Sequence, residues 1–75
     1  MEISLANMGT GQKGVITRIV GGHGRQRHLR AIGIREGKRV RILTKQPARG
    51  PLVIEIDGSQ IAIGRGMAAG VLVEI

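Results

Sequence analysis

The 75 residues include no cysteine and no Phe, Trp or Tyr, and they carry a formal net charge of +7. This composition excludes a disulfide framework and a thiolate metal site. It also excludes an aromatic-lined peptide groove and the aromatic stacking that usually holds single-stranded nucleic acid. A chain this short forms one domain, taken here as residues 1–75, and it must close its core on Val, Ile, Leu, Ala and Met alone.

No segment approaches the roughly 18 apolar residues of a membrane span. The opening MEISLANMGTGQKG lacks the basic start and long apolar run of a secretory signal. The expectation is therefore a cytoplasmic domain that is not inserted in a membrane. Its charge is lopsided: residues 11–50 hold eleven Lys or Arg against Glu36 alone, a net +10, while residues 51–75 carry a net −2. The basic part can attract nucleic acid, anionic lipid or an acidic protein face.

In chain order, KGVITRIV (13–20) is β-branched and predicts a strand. GRQRHLRAI (24–32) lacks strand alternation. Leu29 and Ile32 lie three apart, one apolar stripe of a short helix that leaves Arg25, Arg27 and Arg30 for other faces. Gly33 fits the position after the last helical residue, where a left-handed turn brings Ile34 back onto Leu29. REG (35–37) predicts a turn. RVRILTK (39–45) predicts a strand with Val40, Ile42 and Thr44 on one face and Arg39, Arg41 and Lys45 on the other.

QPARGP (46–51) reads as a loop. LVIEID (52–57) alternates, with Leu52, Ile54 and Ile56 inward, and Asp57-Gly58 is a type I′ hairpin signal. QIAIG (60–64) follows with Ile61 and Ile63 inward. RGMAAG (65–70) predicts a tight turn or one turn of helix, and VLVEI (71–75) a last strand placing Val71, Val73 and Ile75 inward. The expected fold is mainly β: a small, partly open barrel of about five strands, with one short α-helix after the first long strand.

Most motif chemistry fails on context. GTGQKG (9–14) has dinucleotide-site spacing, but a β-branched strand follows it where a helix is needed. GIREGK (33–38) is one residue short of a phosphate-binding loop, and Arg39 stands where Ser or Thr would hold magnesium. GHGRQR (22–27) has Arg27 in place of its third glycine. His23 and His28 are the weak metal candidates; they are five apart, with no nearby acid or thiol to complete a ligand set. Ser4 and Ser59 have no evident His and acid partners, so no catalytic set emerges and the chain reads as no enzyme. No cofactor is expected beyond weak divalent-metal binding.

An ordered set of residues spans nearly the whole chain. It runs Leu5, Gly11, Gly14, Val15, then Arg27, Leu29, Ile32, Gly33, Ile34, Gly37 and Val40. It continues with Pro51, Leu52, Gly58, Ile61, Ala62, Ile63, Ala68 and Val73. In this set the sequence resembles the FeoA family, small cytosolic proteins of bacterial ferrous iron uptake. Gly64-Arg65-Gly66 departs from the family pattern, which often has a larger apolar or basic residue before the Ala turn.

The resemblance implies an SH3-like barrel, similar also to the C-terminal domain of iron-dependent repressors. It implies a non-enzymatic accessory or regulatory module that binds the cytosolic side of FeoB, a membrane permease with a GTPase domain. Arg25, Arg27, Arg30 and Arg35, extended by Arg39 and Arg41, are the candidate partner-binding residues, supplying charge complementarity and fast encounter. A monomer or weak homodimer is expected. Two other readings stand beside this one: a basic nucleic-acid-binding barrel, and a stand-alone metal-sensing domain. The latter could not read DNA itself, since no helix-turn-helix segment is present.

Overall fold

A computed structural model describes residues Met1–Ile75. Six strands form one antiparallel sheet in the order β1-β6-β2-β3-β4-β5. They are β1 (Glu2–Ser4), β2 (Lys13–Ile19), β3 (Arg39–Lys45), β4 (Leu52–Ile56), β5 (Ser59–Ile63) and β6 (Val71–Glu74). Helix α1 (His23–Ala31) links β2 to β3, and the single turn α2 (Arg65–Ala68) links β5 to β6.

The strand nearest the N-terminus escapes a reading of the sequence alone. Glu2-Ile3-Ser4 is too short to show alternation, and it is a strand because β6 pairs with it, Ile3 opposite Val73. Leu5–Asn7 then makes one 3₁₀ turn, which buries Leu5, and Met8 is buried just after it. The Lys45 ammonium fastens this turn by donating to the carbonyls of Ala6 (3.2 Å) and Met8 (3.0 Å).

Helix α1 ends as expected. Gly33 has φ 100°. Its N–H donates to the Arg30 carbonyl at 3.1 Å, and the Ile34 N–H donates to the Leu29 carbonyl at 2.9 Å. This pair of bonds satisfies carbonyls the helix itself leaves open. It also delivers Ile34 into the core beside Leu29, both fully buried. The hairpin at Asp57-Gly58 has the expected geometry too: both residues have positive φ, 52° and 79°, and Ile56 pairs with Ser59.

Two bulges interrupt the alternation of the strands. The β2–β6 register shifts between Ile16 and Arg18, so Ile16 and Ile19, three residues apart, both reach the core. The β3–β4 register shifts between Ile42 and Thr44. Beyond that bulge the inward series Val40, Ile42 breaks: Leu43 is half-buried and Thr44 lies exposed, against expectation. Ile75 also lies outside, beyond the last residue of β6, and Ile61 on the edge strand is only half-buried. The core comprises fifteen residues, all Leu, Ile, Val, Met or Ala, and no polar side chain is buried. No helix is long and apolar enough to cross a membrane.

Candidate partner-binding surface

With every buried side chain apolar, chemistry is confined to the surface, and the surface is dominated by cations. Helix α1 presents Leu29 to the core and His23, Arg25, Arg27 and His28 to solvent. The arginines divide into two kinds. Arg30 is committed: it forms a two-pronged bond to the Glu36 carboxylate, with Nη2 2.9 Å from Oε2. The bond clamps the end of α1 to the turn that follows. The Arg30 guanidinium holds the Glu36 carboxyl below its ordinary value of 4.5, aided by a backbone hydrogen bond. The same pair raises Arg30.

Arg25 is also spoken for, since its Nη1 donates to the Gly66 carbonyl at 3.3 Å and so ties α1 to α2. Arg27 and Arg35 are exposed and have no carboxylate within ion-pair distance. The predicted stripe therefore holds two free guanidinium groups and two that serve the fold.

His23 and His28 are both exposed on α1. Five residues of helix set them about 140° apart around the axis, so they do not converge. No group of three or more His, Cys, Asp or Glu side chains converges elsewhere.

The strongest concentration of unpaired charge lies on the sheet. β2 and β3 place Lys13 directly opposite Arg41, and Val15 opposite Arg39. These side chains line a cleft of about 280 Å³, closed on its far side by Glu55 and Asp57. A smaller hollow beside it, about 220 Å³, shares Lys13 and Arg39 and is edged by Val15. Asp57 is already taken by Lys38 at 2.8 Å. Glu55 sits opposite Arg41 in the β3–β4 register but forms no ion pair. Three cations thus face solvent with no carboxylate partner, next to a half-exposed valine. Alternation in RVRILTK shows Arg39 and Arg41 on one face. Lys13, which completes the group, is brought there only by strand pairing.

The acids at the other end of the sheet are internally satisfied. Glu2 accepts from the Thr17 hydroxyl (2.5 Å) and from Arg18 (3.0 Å), contacts that lower its pKa, the Thr17 bond most. Glu74 is paired with the N-terminal ammonium. Around β1 the negative charge is thus neutralised, whereas Lys13, Arg39 and Arg41 are left without an ion pair.

Comparison with known proteins agrees with this architecture. The FeoA domain family model matches residues 3–75. A protein of Methanocaldococcus jannaschii described as an Fe(2+) transport protein A is 36% identical over 64 residues, covering 85% of this chain and 76% of its own. The crystal structure of an iron uptake regulatory protein, FeoA, superposes with a TM-score of 0.90 at 35% identity, covering 99% of this chain and 96% of that one. The zinc complex of Stenotrophomonas maltophilia FeoA, a prokaryotic SH3 domain protein, superposes with a TM-score of 0.81. It is 22% identical, and the match covers 96% of this chain and 89% of that one, a likeness that fixes the fold as SH3-like.

Proposed function

The chain belongs to the FeoA domain family, and on that premise we propose that it serves ferrous iron uptake as a non-enzymatic accessory protein, docking in the cytoplasm on the cytosolic part of an FeoB-type permease. The observation that carries the docking surface is the unpaired group Lys13, Arg39 and Arg41 around the sheet cleft. Arg27 and Arg35 of the predicted stripe extend the positive field toward α1. Desolvating Val15 beside these charges adds an apolar contact to an otherwise electrostatic encounter. On this reading the chain needs no resident cofactor, and His23 and His28 bind divalent ions weakly at most.

Titration calorimetry against the cytosolic domain of the permease, across a salt series, tests the reading. The expected result is saturable binding that weakens as salt rises. Lys13→Glu with Arg39→Glu is expected to weaken it about ten-fold or more. Failure to bind at any salt would overturn the partnership. Binding indifferent to salt and to the charge reversals would overturn the docking surface but leave the partnership standing. Salt-steep, sequence-independent binding to duplex DNA, with none to the permease, would favour the nucleic-acid reading instead.

A further inference from the structure

The sheet has two edges, β1 and β5, and they are built differently. β1 is three residues long and carries the charged Glu2. It runs straight into a 3₁₀ turn, and its Ser4 hydroxyl donates to the Ala69 carbonyl at 3.0 Å. Shortness, charge and a covering contact are the usual means of blunting an edge. β5 has none of them. Ser59-Gln60-Ile61-Ala62-Ile63 contains no charge and no proline, and it pairs with β4 in an unbroken register.

The hairpin determines which backbone groups of β5 are free. A two-residue turn is closed by a hydrogen-bonded pair, here Ile56 and Ser59. Bonded and non-bonded positions alternate from there. Ile61 and Ile63 therefore bond back to β4, while Gln60 and Ala62 turn their N–H and C=O groups to the open side. No loop backbone or side chain bonds to either residue.

We propose that β5 is a self-association edge, on which a second copy of this chain lays its own β5 antiparallel about a two-fold axis at Ile61. In that register Gln60 of each copy faces Ala62 of the other. These are the outward-turned residues, so each facing pair exchanges both backbone bonds. The interface is self-complementary, as a two-fold contact must be. It also lies in residues 51–75, the segment with net −2, which limits repulsion between copies of net charge +7.

Sedimentation equilibrium from about 10 µM to about 1 mM, at low and high salt, tests this. The mass is expected to rise with concentration from 8.0 kDa toward twice that value. It should rise further at high salt, where repulsion between the cationic copies is screened. Permease docking responds to salt in the opposite sense, so the two associations are separable. Ala62→Pro deletes an outward N–H without touching the β4 ladder. Gln60→Lys with Ala62→Lys sets lysine against lysine in the proposed register. Each is expected to weaken self-association at least ten-fold, and the lysine pair decides the matter if the proline variant fails to fold. A wild-type chain that stays at 8.0 kDa to about 1 mM overturns the proposal. So does a folded double-lysine variant that dimerises like the wild type.

Discussion

Lys13 and Arg41 stand directly opposite each other across the β2–β3 ladder, and neither has a carboxylate within ion-pair distance. Like charges at facing positions cost a sheet roughly 0.2–1 kcal/mol. Lys13→Glu turns that repulsion into attraction and is expected to raise stability by about the same amount, measured as a shift of the urea midpoint at unchanged slope. The same substitution should weaken permease binding. A variant that is less stable than the wild type would contradict the assignment of the pair.

The α1 arginines should separate by role. Arg27→Glu with Arg35→Glu is expected to leave stability within about 0.5 kcal/mol of wild type while weakening the salt-sensitive association. Arg25→Glu with Arg30→Glu breaks the tie to Gly66 and the clamp on Glu36, so its thermal midpoint should fall. If both pairs behaved alike in thermal melts, the division of the stripe would be wrong.

Acid should act through Glu36 and Glu2. Both carboxyls are held below 4.5 in the folded chain, Glu36 by its bond to Arg30 and Glu2 by those from Thr17 and Arg18. The unfolded chain therefore binds protons first as pH falls. The stability these carboxylates contribute is complete above about 4.5 and declines as pH drops through their lowered folded values. Glu36→Gln with Glu2→Gln should lower stability at neutral pH and flatten the acid decline between about pH 5 and about pH 3, followed by urea titration at each pH. Arg30 is raised still further into the alkaline range and adds no slope here.

Glycine substitutions near the two ends of α1 should have opposite signs. Gly33 holds φ 100°, and Gly33→Ala is expected to cost about 1–2 kcal/mol through backbone strain. Gly24 lies within the helix, with open space where a Cβ would stand. Gly24→Ala should therefore stabilise by about 0.4–1 kcal/mol. Equal effects at the two sites would show that the helix end is not formed as described.

Where a local rule governs geometry, the sequence was a sufficient guide. Gly33 needed only its position after an apolar helix stripe, and Asp57-Gly58 only its two flanking alternating runs. What could not be read locally depended on pairing between distant segments. Glu2–Ser4 is a strand because of Val71–Glu74, and Thr44 faces solvent because the β3–β4 register slips one residue earlier. The functional surface follows the same pattern. Arg39 and Arg41 show their common face in sequence, but Lys13 joins them only through register. Arg25 and Arg30 looked as free as Arg27 until Gly66 and Glu36 were in place.

The position of β6 between β1 and β2 carries a consequence for the order of events during synthesis. Residues Val71–Glu74 lie between β1 and β2 and hydrogen-bond to both. As the chain leaves the ribosome, β1 and β2 emerge well before β6, the partner they share. The β3-β4-β5 meander can assemble on its own timetable, since each of its strands pairs with its neighbour in sequence. β2 can join it through β3, but its other margin and the whole of β1 depend on β6, through contacts that span more than fifty residues. Nascent chains stalled before Val71 should thus expose an unpaired β2 margin and depend on chaperones in a way the finished molecule does not.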